Sequence, residues 1–493
     1  MNSYKKLASD TAIYGSSSII GKFLNWWLVP YYSFMFLPGE YAVVANMYAY
    51  VSFFMVLLTY GMETSYFRYA SRNENPEKVY STSLISLFFT TFSFVLLASV
   101  FRAEIAGLIQ YPEHPEYILW FAVILGIDAF TAIPFARLRL NNRPIKFAAL
   151  KFINIGFNIG FNLFFISLCP KLMENNPDSF INAIYSPEIG VGYVFISNLL
   201  ASVVTLILLI PEIFRIKFTF DGLLLKQMLS YGFPILIVGL AGMVNQNIDK
   251  VLMPFLIPAD QNPMEQLGIY SANYKLAVLM NMFIQAFRYA FEPFFFARGG
   301  TKDDPKIYAT VMKYFVIFGL LIFLGMVLYV DIIKFVIDAK YHEGLKILPL
   351  VLMANLFFGI YFTLSLWYKL TDKTRYGAYM ALIGAVITLV LNIVLIPGIG
   401  YMGSAIAVFS CFLAMTIISY FLGQKVYPVP YDLKRIAIYF LIALIIYIAS
   451  NFTLNLNTLI GKYALNTILL VLFLSVVFRL EKNELMKLIK KRK

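Results

Sequence analysis

The chain is poor in the residues that hold metals and disulfides, with 2 cysteines and 2 histidines in 493 residues. Cys169 and Cys411 border or lie in apolar runs, and His114 and His342 fall in connections, so neither a metal site nor a disulfide framework is indicated. Charge is scarce as well: 14% of residues are charged, against roughly 25% in soluble domains. No connection is long enough for an ATPase or glycosyltransferase domain. Gly15 to Lys22 has the outline of a phosphate loop, but with one residue too many, and it runs on into an apolar span rather than the strand–loop–helix setting that motif requires. These absences leave no catalytic group and no cofactor to assign.

What is present is apolar. Hydrophobic residues make up 60% of the chain and aromatics 17%, and the mean hydropathy is +0.74. Runs long enough to cross a bilayer fall at about 11–36, 41–62, 79–101, 117–136, 145–168, 190–211 and 227–257. Further runs fall at about 267–296, 307–330, 345–368, 376–396, 401–422, 434–452 and 462–479. The expected fold is an all-α polytopic membrane protein of about fourteen transmembrane helices. Turn residues such as Pro38-Gly39, Asn75-Pro76 and Asn142 to Pro144 mark short loops. Lys5 and Lys6 precede a long first span without a small-residue cleavage site, so that span reads as an uncleaved helix.

Lysine and arginine set the orientation. Only Arg102, Lys171, Lys334, Lys340, Lys346 and Lys462 fall on outer connections, and Lys22, Lys250, Lys275 and Arg288 lie within spans; the rest of the 40 are on inner segments. Both termini are therefore expected in the cytoplasm. The net charge of +13 follows from topology and needs no nucleic-acid partner. A weak internal repeat supports two pseudo-symmetric six-helix lobes. Leu140-Asn141-Asn142-Arg143 matches Leu370-Thr371-Asp372-Lys373, Tyr14-Gly15 matches Tyr231-Gly232, and Gly190 and Gly192 match Gly400 and Gly403. The expected organisation is an N-lobe at 1–218, a C-lobe at 219–425, two extra helices at 426–480 and a basic tail at 481–493.

Polar groups inside spans concentrate in few helices. In the run 267–296, Tyr274, Asn281, Gln285, Arg288 and Glu292 are spaced seven, four, three and four residues apart. At about 100° per residue they share one face of a helix. A charge at bilayer depth costs roughly 2.5–3.5 kcal/mol and is tolerated mainly against a partner or water. The stripe therefore points to a wet cavity, although Arg288 and Glu292 also have the spacing of a plain i,i+4 ion pair. Lys22 and Asn25 lie on the first span, Asp128 on the fourth, and Asn154, Asn158 and Asn162 form a row on the fifth. That row serves interhelical hydrogen bonding equally well. The seventh span holds Asn245, Asp249 and Lys250. Asp249 and Lys250 point about 100° apart and are not expected to neutralise each other along one face. The cations suit an anionic ligand, above all a phosphate, and the amides and aromatics suit sugar. Asp128, Asp249 and Glu292 are candidates for repelling a misplaced anion, balancing charge, or titrating with a coupling proton.

The turn Pro38-Gly39-Glu40-Tyr41, the run Tyr231-Gly232-Phe233-Pro234, the pair Asp249-Lys250 and the run Leu267-Gly268-Ile269-Tyr270-Ser271-Ala272 carry a resemblance over nearly the whole chain. They resemble the polysaccharide-transporter branch of the multidrug/oligosaccharidyl-lipid/polysaccharide (MOP) exporter superfamily, which includes the O-antigen flippases. The resemblance implies alternating access of two six-helix lobes in the bacterial cytoplasmic (inner) membrane. It implies an undecaprenyl-diphosphate-linked oligosaccharide as substrate, and cationic site residues at Lys22, Lys250 and Arg288. Membrane lipids, a glycan polymerase and glycosyltransferases are the partners it implies. The alternatives are a cation-coupled drug or metabolite antiporter of the same superfamily, or a membrane glycan polymerase or ligase. The last would want a substantial outer loop, and the one at about 169–189 carries only Lys171.

Overall fold

The computed structural model describes residues 19–175, 180–296, 305–371, 373–452 and 459–490, apart from the side chains of 180, 290–296, 451–452, 459 and 483–490. Among these the chain is helical, without strands. In order, the main helices are α1 (Leu28–Met35), α2 (Pro38–Thr59), α3 (Met62–Ala70), α4 (Pro76–Val100), α5 (Pro115–Leu140) and α6 (Pro144–Leu163). They continue with α7 (Gly192–Phe214), α8 (Gly222–Leu256), α9 (Pro263–Leu276), α10 (Val278–Phe296) and α11 (Pro305–Leu328). The last are α12 (Leu348–Leu364), α13 (Arg375–Ile399), α14 (Tyr401–Val426), α15 (Leu433–Phe452) and α16 (Leu459–Lys490). Twelve helices among the described residues are long and apolar enough to cross a membrane.

Local chemistry sets the boundaries. Pro38, Pro76, Pro115 and Pro144 occupy first turns, where the missing N–H has no helical acceptor. Asn75 Oδ1 accepts from Lys78 N at 3.1 Å, and Asp221 Oδ1 from Leu224 N at 3.0 Å, capping α4 and α8. The expected single helix over 267–296 is corrected. It breaks at Ala277, whose N–H reaches back three residues to Tyr274 O at 3.3 Å. The tighter step separates Tyr274 on α9 from Asn281, Gln285 and Arg288 on α10.

Close packing divides the chain into two compact units, Met1–Ser271 with Asn392–Gly400, and Ala272–Leu391 with Tyr401–Lys493. In the first, Tyr66, Tyr80, Leu84, Ile133, Leu209 and Met228 form a core shared by α3, α4, α5, α7 and α8. The α2–α3 junction turns through Tyr60 (φ 33°) and Gly61 (φ 70°). Gly61 is needed there twice over: φ is left-handed, and a Cβ would lie 2.7 Å from Gly232 O of α8. From that crossing α8 follows the α2–α3 pair, through Ser65 Oγ donating to Met228 O (2.9 Å) and Asn247 Nδ2 donating to Ser52 Oγ (3.2 Å). Glu212, buried at the end of α7, accepts from Lys146 Nζ at 2.6 Å and Arg143 Nη1 at 3.3 Å.

In the second unit, Tyr361, Met380, Cys411 and Phe412 pack α12, α13 and α14 together. Cys411 and Cys169 are both buried and free. The last helices are tied in by one carboxylate. Glu481 of α16 is 0% exposed, and it accepts from Lys313 Nζ of α11 (2.6 Å), Tyr439 O–H of α15 (2.5 Å) and Arg435 Nη1 (3.2 Å).

That geometry sets an unequal response to mutation. Glu481→Leu removes the carboxylate from beside Lys313, which is 3% exposed, and is expected to cost about 3–5 kcal/mol. Lys313→Met leaves Glu481 with Tyr439 and Arg435 and should cost clearly less. Thermal unfolding of the detergent-solubilised variants measures the difference; equal losses would contradict it.

Candidate functional site

In the first unit the polar chemistry of α8 begins with a proline. Pro254 has no N–H, so the carbonyl of Lys250, four residues earlier, lacks its helical donor. Asn46 of α2 supplies one: its Nδ2 donates to Lys250 O at 2.7 Å, while Tyr111 O–H donates to Asn46 Oδ1 at 3.0 Å and fixes the amide. Asp249, 1% exposed, accepts at Oδ1 from Lys250 N (2.8 Å) and Lys250 Nζ (3.2 Å), and at Oδ2 from Tyr270 O–H (2.5 Å). Lys250 Nζ also donates to Gln246 O at 3.3 Å. The expectation that Asp249 and Lys250 would not neutralise each other is thus corrected. The four-carbon lysine stem folds back along the helix, and two buried charges gain more by pairing than by standing apart. Asn245 is buried one turn earlier on the same helix.

Lys22 and Asn25 are exposed on the segment 19–26, where Phe23 and Trp26 stack at 5.8 Å. The amides of α6 are tied to neighbouring helices. Asn154 Nδ2 donates to Thr205 Oγ1 (2.9 Å) and Ala201 O (3.2 Å) of α7, and Tyr32 O–H of α1 donates to Asn162 Oδ1 (2.8 Å). Asn158 Oδ1 accepts from Asn162 Nδ2 at 3.2 Å. Such interhelical bonds are worth about 0.6 kcal/mol each in a membrane. Asp128 of α5 is half-buried and accepts from Ser202 Oγ of α7 at 2.9 Å.

In the second unit, Met280 and Ile284 form the buried face of α10, and Leu279 and Ala286 its exposed face. Asn281, Gln285 and Arg288 are half-buried between them, as is Tyr274 across the break. Arg288 makes no ion pair among the described residues. Its guanidinium lies 4.1 Å from the centre of the Phe362 ring, and Lys369 Nζ lies 4.4 Å from the same ring. A cation–π contact is worth about 0.5–2 kcal/mol, and two like charges at one ring also repel. Each of the two cations can donate to an anion. Glu292, expected on this face, has its side chain outside the described residues. Sequence reasoning missed Lys369 because it counted that lysine among the inner connections. Its seven-residue, two-turn separation from Phe362 was the available signal. No group of three or more His, Cys, Asp and Glu is placed to hold a metal among the described residues.

A family profile described as "Polysaccharide biosynthesis protein" matches residues 7–297. No curated protein sequence matches the chain. Among solved structures, the lipid II flippase MurJ in an inward closed conformation superimposes with a TM-score of 0.74 at 15% identity, covering 94% of this chain and 98% of that one. An inward-facing multidrug resistance MATE family transporter of the MOP superfamily gives 0.67 at 12% identity, covering 82% and 94%. The MATE multidrug transporter DinF-BH gives 0.60 at 14%, covering 85% and 96%. At these identities the likeness is one of fold.

The Asn46 cap is open to direct test. Asn46→Leu leaves the Lys250 carbonyl buried without its donor and is expected to destabilise the protein by about 1–3 kcal/mol. If thermal unfolding is unchanged, Asn46 is not the replacement donor for Pro254.

Proposed function

The chain belongs to the polysaccharide biosynthesis protein family, and from that premise we propose that it is a flippase. Its substrate is an undecaprenyl-diphosphate-linked oligosaccharide, turned from the inner to the outer leaflet of a bacterial cytoplasmic membrane by alternating access of lobes 1–218 and 219–425. The observation that carries the reading is the pairing of Arg288 and Lys369 on one aromatic ring within an apolar helical unit. Intramembrane cations are functional by default, and a guanidinium and an ammonium each suit a diphosphate, with its several acceptor oxygens.

In this reading Arg288 and Lys369 take the diphosphate. Tyr274, Asn281 and Gln285 take sugar hydroxyls; in the first unit Lys22, Asn25, Asn154, Asn158 and Asn245 are the polar residues the substrate meets. Lys250, in the first unit, becomes available only when its pair with Asp249 opens, so that pair reports the resting charge balance. Asp128 and Glu292 complete that balance or titrate with a coupling cation. A glycan polymerase and glycosyltransferases are the partners that consume the product and supply the substrate. The likeness to MATE transporters supports a second reading, a cation-coupled antiporter, for which Asp128 beside Ser202 is the titrating group.

Two measurements separate these readings. Deleting the gene should trap lipid-linked glycan on the cytoplasmic side without raising drug sensitivity, as read by leaflet-resolved detection of undecaprenyl-linked sugars. Arg288→Ala should lower surface glycan about ten- to a hundredfold, the loss of one charged hydrogen-bond donor set, while the protein stays in the membrane; export at the wild-type level would return Arg288 to a packing role.

A further inference from the structure

A concavity whose lining includes none of the residues assigned to the substrate lies in the first unit. In the first unit, α4, α5 and α7 border a groove of about 660 Å³ whose walls are almost wholly apolar. Its lining includes Leu84, Phe88 and Phe92 of α4, Phe130 of α5, and Ile210 and Phe214 of α7. It runs along α4 from Leu84 to Val95, which at about 1.5 Å per residue is about 16 Å. That is close to half of a hydrocarbon core roughly 30 Å thick. The lysine and arginine distribution puts the Pro76 end of α4 and the Phe214 end of α7 on the cytoplasmic side. On α7 the lining is confined to the cytoplasmic end, Leu206 to Phe214, while on α4 and α5 it reaches the middle of the helices, so the groove opens at the cytoplasmic side and runs in past mid-helix on α4.

Its cytoplasmic mouth is charged. Phe214 and Phe218 both line the groove, and between them in the chain stand Arg215 and Lys217, exposed and without an ion pair among the described residues. The connector that carries them is strapped down on the start of α4. Thr219 N donates to Ser81 Oγ at 2.7 Å, Asp221 N donates to Thr82 Oγ1 at 3.3 Å, and Lys78 pairs with Asp221 at 2.7 Å. Lys78 is thereby neutralised, while Arg215 and Lys217 keep their charge for something outside the chain.

We infer that this groove is a specific site for an anionic phospholipid of the cytoplasmic leaflet, with one acyl chain in the groove and the phosphate on Arg215 and Lys217. Depth decides the occupant. An inner-leaflet acyl chain entering at the cytoplasmic end fills a groove about 16 Å long, whereas a long polyprenyl tail would outrun it. The site is separate from the proposed diphosphate site and stands whether or not that reading holds.

The full chain, reconstituted in vesicles, tests this. Phe89→Trp, at the exposed groove wall, reports lipid contact through quenching by brominated phosphatidylglycerol or brominated phosphatidylcholine, with the native tryptophan signal subtracted. Phosphatidylglycerol is expected to be preferred, with the preference falling on the order of fivefold for each of Arg215→Ala and Lys217→Ala and shrinking as salt is raised. Equal quenching by the two lipids would overturn the site, as would a preference that survives the double substitution. Displacement of the brominated lipid by added undecaprenyl diphosphate would assign the groove to the carrier lipid instead. A reporter unquenched by either lipid, in a protein that cross-links as a dimer through this face, would assign it to a second copy.

Discussion

Inside a hydrocarbon layer there is no water to satisfy a stray donor or acceptor, and this one constraint governs where the chain can place polar groups. The proline within α8 shows how such a gap is filled. Pro254 leaves the Lys250 carbonyl without its helical donor, and Asn46 supplies one. Glu481, buried, collects donors from α11 and α15, and Glu212, also buried, collects Lys146 of α6 and Arg143 just before it. Asp249 collects two side-chain donors and a backbone N–H. The carboxylates of the spans thus act as junctions where helices are tied, and their positions mark the firmly joined parts of each unit.

Against that background Arg288 differs from Lys250 and Lys313. Those two are closed against carboxylates, whereas Arg288 lies against a phenyl ring. A ring face compensates a cation far less than a carboxylate does. The half-buried charge on α10 is the less settled one, and that is the condition expected of a residue that must take up and release an anion in each cycle.

Most of the fold was legible in the sequence. Spanning length and apolar composition are properties of single segments, and the prolines at helix starts mark boundaries without help from tertiary structure. What escaped depends on packing between segments. The tightened turn at Ala277 carries no proline or glycine to announce it. The Asp249–Lys250 pair was misread because an angular argument about Cβ directions ignores how far a lysine stem can bend. Within α6, Asn154 and Asn162 were visible as a polar row, but only the neighbouring Thr205 and Tyr32 reveal which bonds they make. Lys369 was hidden by its place near a helix end, where charge is ordinarily a marker of topology.

The crossing of Gly61 and Gly232 has a mechanical consequence. Each backbone fills the space where the other's first side-chain carbon would stand, so α8 meets the α2–α3 corner as one interlocked ridge. Sliding by even a fraction of a turn would drive the neighbouring Tyr60 or Tyr231 into that contact. Shear is thereby blocked at this point, and any rearrangement of these helices has to proceed as a hinge, swinging about the glycine pair.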